Sequence, residues 1–116
     1  MTHDAAVRMI RGKTNKTCRK LGNNTYGEIL DNGDVGITLH STQVVTIHAD
    51  GTYTLYSGGW RTVTTKDRMN TYCPFRVSQH KGEWSVTYWD GETRHTIEYF
   101  DHMRVSLDMF SQLVTA

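Results

Sequence analysis

From Asn24 onward the chain repeats one local pattern: apolar and polar residues alternate, and a turn signal interrupts them every few residues. The interruptions are Asn32-Gly33, Asp50-Gly51, Gly58-Gly59, Lys81-Gly82 and Asp90-Gly91. A period of two sends successive side chains to opposite faces, so such a chain buries its apolar residues as a sheet with one oily side. No apolar run approaches the roughly 18 residues that a membrane-spanning helix needs.

Because a one-residue slip turns every side chain over, the register is testable from the sequence. A two-residue Asn32-Gly33 turn pairs Leu30 with Val35 and Tyr26 with Leu39, and leaves Glu28 opposite Ile37. A loop at 41–43 pairs Leu39 with Val45 and Ile37 with Ile47. At the next turn a three-residue loop, Ala49-Asp50-Gly51 with Gly51 left-handed, sets Ile47 against Tyr53 and Val45 against Leu55. Farther on, Val77 and Gln79 face Trp84 and Val86 across Lys81-Gly82, and Asp90-Gly91 pairs Val86 with His95 and Trp84 with Ile97. Met103–Leu107 reads as a last short strand, and 108–116 as a helical turn or a frayed tail.

Between the two sets of strands lies the stretch Tyr53–Tyr72. Its strand pattern breaks at Gly58-Gly59, and Thr64 with Asp67 three residues later reads as a helix start. Cys73-Pro74 stops that helix. The expected fold is therefore mainly β (α+β): two antiparallel meanders of about seven to eight strands, joined by one short helix near 64–72. A curled sheet, a small sandwich or a partly open barrel all satisfy this pattern.

Charge divides the 116-residue chain. Residues 1–22 carry Arg8, Arg11, Lys13, Lys16, Arg19 and Lys20 against Asp4 alone, a net +5, whereas the remaining 94 residues carry 7 basic and 11 acidic side chains, a net −4. The expected organisation is a basic N-terminal arm over 1–22, disordered or a short helix, on a single β-rich domain over 23–116. Such an arm suits phosphate, which makes its six cations the candidate nucleic-acid contact. Two cysteines without a CxxC spacing, and an N-terminus without an apolar signal core, lead to the expectation of a cytoplasmic protein.

Catalytic signals are weak. His40 and His48 share a face of one hairpin but sit four residues apart along it, roughly 13 Å at the usual rise, too far for one metal ion. The serines lack a nucleophile-elbow context, and the carboxylates Asp31, Asp34, Asp50 and Asp90 fall in turns, where they shape the backbone. No catalytic residue, metal site or cofactor is therefore expected. Binding is better supported, because Trp60, Arg61, Lys66, Arg68 and Tyr72 form the densest aromatic-plus-basic set in the chain. Aromatics beside bases serve protein hot spots and single-stranded nucleic acid alike.

The run His40–Asn70, which ends in SGGWRTVTTKDRMN, resembles a family of short tailed-bacteriophage and prophage proteins. The similarity begins near Leu21, extends through Gly82-Glu83-Trp84 and leaves out the basic arm and the tail. Ala49 stands where similar proteins often have proline before Asp-Gly. The resemblance brings no catalytic or binding residue with it. It implies a phage-encoded, non-enzymatic inhibitor of a host defence complex, for example of anti-CRISPR type, that binds a nuclease or another nucleic-acid-handling host protein through the Trp60–Tyr72 surface or the acidic body. The alternatives are a direct nucleic-acid binder using the arm and a small metal-dependent hydrolase. None of these readings involves a membrane.

Overall fold

The computed structural model describes residues 1–89 and 91–106, and the reading of 108–116 lies outside them. Helix α1 (His3–Arg11) opens the chain. Strands β1 (Cys18–Gly22), β2 (Thr25–Ile29), β3 (Val35–Leu39), β4 (Thr42–Ile47) and β5 (Tyr53–Leu55) follow. Helix α2 (Val63–Tyr72) separates them from β6 (Arg76–His80), β7 (Glu83–Trp89), β8 (Arg94–Glu98) and β9 (Met103–Val105).

The strands form two open antiparallel sheets, one in the order β1-β2-β3-β4-β5-β9 and one in the order β6-β7-β8. This corrects the expected architecture: the fold is mixed α+β, and neither sheet is curled or closed. β9 does not extend the second meander. It returns to pair with β5, setting Val105 against Tyr53 and Met103 against Leu55. β1 and β9 remain the two ends of one sheet, so no barrel closes. The helices add to the packing: α1 lies on β1–β3, and α2 bridges β4 to β6.

Residues 1–22 are folded. Thr2 caps α1 by accepting the Ala5 N–H, Arg8 and Arg11 occupy the last turn where cations suit the helix dipole, and Ala6 and Ile10 are fully buried. The helix comes so close to β2 that a Cβ on Gly27 would sit 3.0 Å from Ile10 Cδ1 and from Leu21 Cδ1. Gly27 is thus the seat on which the amphipathic arm packs.

The first hairpin corrects the expected register. Its closing bond runs from Leu30 N–H to Asp34 O, so the loop is Asp31-Asn32-Gly33 with Gly33 at φ 90°, one residue longer than a type I′ turn. That extra residue puts Thr25, Gly27 and Ile29 on the core face, opposite Leu39, Ile37 and Val35. Tyr26 and Glu28 consequently face outward, which removes the awkward Glu28–Ile37 pair. At the second hairpin the loop is His40-Ser41, and a bulge places Ile37 opposite Val45 and Val35 opposite Ile47. Both Val44 and Val45 are buried there.

The β4–β5 pairs Ile47–Tyr53 and Val45–Leu55 are as the sequence implies, with Gly51 left-handed at φ 89°. So are Val77–Val86 and Gln79–Trp84 across Lys81-Gly82. β7 and β8 pair two residues away from expectation, Val86 with Ile97 and Tyr88 with His95, because pairing first occurs at Trp89–Arg94. A shift of two keeps each side chain on its face, so the core is unchanged. The joining helix begins one residue early, and Thr62, not Thr64, caps it through the Thr65 N–H at 3.2 Å. One contiguous core runs through both sheets and both helices, from Ile10 through Ile37, Ile47 and Leu55 to Met69 and Val86.

Candidate functional site

Between β5 and α2 the chain turns a corner that the rest of the fold holds in place. Ser57 donates from both its N–H and its hydroxyl to Asp101 Oδ1, at 3.0 and 2.8 Å, and the Tyr99 hydroxyl donates to the same oxygen at 2.6 Å. His102 N–H bonds the Leu55 carbonyl at 2.7 Å, and its ring stacks on Tyr56 at 4.1 Å. The two glycines then reverse direction with φ of 63° and 84°. A Cβ on Gly58 would also meet Thr42 Cγ2 at 2.8 Å, so this position favours glycine twice over.

The electrostatics follow from these bonds. Burial pushes the Asp101 carboxyl up, but the hydrogen bonds from Tyr99 and Ser57 outweigh it and hold the group below the usual carboxylate range. Burial, and the carboxylate it donates to, drive the Tyr99 hydroxyl well above its ordinary value. Asp101 is therefore an ionised anchor, and Tyr99 a permanent donor.

Only part of the sequence-derived binding set meets at the surface. Trp60 is 68% exposed, and Val63, the first residue of α2, is 78% exposed. Arg61 lies back over the rings of Trp84 and Tyr99, 5.7 and 5.1 Å from their centroids. Lys66 also sits over Trp84, and it donates to Gln79 Oε1 at 3.2 Å. Arg68 bonds Thr25 Oγ1 at 2.8 Å and pairs with Asp67. Tyr72 is 7% exposed, which removes it from any contact surface: it falls on the buried side of α2 with Thr65 and Met69. The projecting features are Trp60 and Val63, and Trp60 also lines a mostly apolar cleft of about 430 Å³ with Leu39, Val44, Thr42 and Thr62.

Elsewhere the candidates separate. Residues 11–20 are all exposed, so Arg11, Lys13, Lys16, Arg19 and Lys20, together with Arg8 of α1, make the chain from helix to edge strand an exposed basic ridge. Arg19 donates to the Met9 carbonyl at 3.0 Å, and none of the six forms an ion pair among the described residues. His48 bonds Asp34 Oδ2 and Thr54 Oγ1, each at 2.7 Å, and so clamps two turns together. The Ala49 N–H, against the opposing effect of burial and with help from His48, holds Asp34 below the carboxylate range. Cys73 is buried, which pushes its thiol up to about 12, far from a nucleophile at neutral pH. Among the described residues no group of three His, Cys, Asp or Glu is placed to hold a metal.

The family model described as Kyanoviridae Gp96 protein matches residues 3–106. The chain belongs to that phage-associated family. The match takes in α1 and the basic ridge as well as the corner, a wider reach than the resemblance beginning near Leu21 implied. No curated protein and no solved structure matches the chain. No helix among the described residues is long and apolar enough to cross a membrane.

The anchoring trio Ser57, Tyr99 and Asp101 is missing from the sequence-derived set. Asp101-His102 reads as an ordinary turn, and no local signal ties it to a serine 44 residues earlier. The return of β9 onto β5 brings them together.

Proposed function

We propose that this phage protein is a non-enzymatic binding factor that docks on a host protein through the Trp60–Val63 corner. The partner class is a host defence nuclease or another nucleic-acid-handling complex, which the protein inhibits in the host cytoplasm as a counter-defence factor of anti-CRISPR type. One observation carries the reading: Trp60 is largely exposed on a backbone that Asp101, Tyr99 and the Thr62 cap hold still. An exposed indole on a pre-organised corner loses little freedom on binding, and such aromatics dominate interface energetics. Membership of a phage-associated family supplies the context.

The test is capture of host proteins by wild type and by a Trp60→Ala/Val63→Ser variant, followed by titration of the purified partner. The variant is expected to keep its fold and to weaken the complex at least tenfold. Equal capture and equal affinity would remove the corner as the contact.

A second reading rests on the basic ridge, whose six cations have no carboxylate partner among the described residues. Direct binding of nucleic acid there would fall steeply with salt. Glutamine at Arg8, Arg11, Lys13 and Lys16 should flatten that dependence, and a salt-independent or absent interaction would end this reading.

A further inference from the structure

The three-stranded sheet has a face that the core does not use. Along β7, Trp84 and Val86 are buried, whereas Ser85, Thr87 and Trp89 point to the other side. Pairing sets Arg76 beside Thr87, Thr87 beside Thr96, and Trp89 beside Arg94. Against Asn70 and the Cys73–Phe75 segment this face forms a groove of about 740 Å³.

We propose that this groove binds a short single-stranded segment of nucleic acid, with a base stacked on Trp89 and the flanking phosphates held by Arg76 and Arg94. Trp89 is 58% exposed, and its direct cross-strand neighbour is a guanidinium. Neither arginine forms an ion pair among the described residues. Glu83 and Glu98 share this face, Glu98 directly opposite Ser85, and Glu92 lies in the adjoining turn; none of the three lines the groove. The charged side chains that do line the groove are the two cations Arg76 and Arg94, which suits an anionic ligand that also has a flat face.

Spacing favours a strand over a lone phosphate. Arg76 and Arg94 are two strands and two residues apart, so their backbones stand roughly 12 Å from one another on opposite flanks of β7. The floor between them is polar. Ser78 meets Ser85 at 3.4 Å and Thr87 meets Thr96 at 3.1 Å, hydroxyls that can serve sugars and base edges. A hydroxyl floor fits a nucleic-acid strand better than the apolar side chains of a peptide, and a stacking partner for Trp89 requires a base already out of a duplex. This site is separate from the Trp60 corner and does not depend on the host-protein reading.

Fluorescence anisotropy of labelled oligothymidylate and oligouridylate, titrated with the full chain, tests the proposal. Binding to one or both is expected at low salt, weaker for the matching duplex. Trp89→Ala should weaken it about tenfold and Trp89→Phe much less, with the melting transition unchanged. Arg76→Gln with Arg94→Gln should reduce the slope of log affinity against log salt by about 1.4, at about 0.7 per phosphate lost on a single strand. No binding at low salt, equal affinity for duplex, or full affinity in both folded variants would overturn the proposal. Should only glutamine at Arg8, Arg11, Lys13 and Lys16 weaken binding, the groove falls and the ridge reading stands. None of these outcomes touches the Trp60 experiment.

Discussion

The two sheets of this protein use the same alphabet of threonines, arginines and aromatics to different ends. In the six-stranded sheet the polar side chains are tied to one another: Asp34 to His48, His48 to Thr54, and Arg104 to both Thr52 and Asp50. These bonds fasten turns together, and helix α1 covers β1–β3. In the three-stranded sheet one face rests on α2 and the core, while the other presents Trp89, Arg76 and Arg94 to solvent. The larger sheet therefore supplies stability, and the smaller one is free to present side chains to a ligand. Between them the Trp60 corner combines both habits, anchored by its buried neighbours and exposed at its tip.

The largest effect that can break this division is expected in the larger sheet. Leu55 is fully buried and pairs with both Val45 and Met103, at the joint between the first meander and β9. Leu55→Ala removes buried methyl groups and leaves a cavity, which costs about 2–5 kcal/mol. Against a total of about 5–15 kcal/mol for a typical domain, that is a loss readily read in a urea titration. A loss below about 1 kcal/mol would show that β9 docks loosely, and the contrast between the sheets would weaken with it.

Next in size is the anchor beneath the corner. Asp101→Ala strips one oxygen of three donated hydrogen bonds and leaves Tyr99 and Ser57 short of a partner, so a cost of about 1–3 kcal/mol is expected. The pH dependence has a definite sign. The folded carboxyl titrates below the unfolded one, so the unfolded state binds more protons as the pH falls through and below about 4. The stabilisation is complete above that range and is lost on acidification. Asp34 has the same sign, so the acid limb of wild type should be steeper than that of Asp101→Ala. Identical acid limbs would mean that Asp101 is not the anchor.

What could be read from the sequence depended on how local the physics was. The strands and the turn glycines follow from period-two patterning, α2 lies within a residue of its expected start although Thr62 and not Thr64 caps it, and several cross-strand pairs followed by counting. Counting failed where a loop took one more residue than its dipeptide suggested, as at Asp31-Asn32-Gly33, or where a bulge absorbed Val44. The architecture was harder, since the choice of β5 as the partner of β9 is set by a contact about 50 residues apart. At the corner, the density of aromatic and basic residues overstated how many of them are free. Arg61 and Lys66 turn back onto Trp84, and Tyr72 faces the core, orientations that a linear pattern does not encode.

The smallest expected effect is the one that most sharpens the contrast between the sheets. Arg76→Gln combined with Arg94→Gln removes two cations that hold no ion pair among the described residues, from a face that contributes nothing to the core. Stability should stay within about 0.5 kcal/mol of wild type, as for exposed sites away from packed or bonded groups. Arginine stems cover some apolar surface, so the change need not be zero. The same pair in nucleic-acid titrations should flatten the salt dependence, which separates a role in binding from a role in folding. A double variant that melts early would instead make those arginines part of the framework of the smaller sheet, and the division of labour between the two sheets would no longer hold.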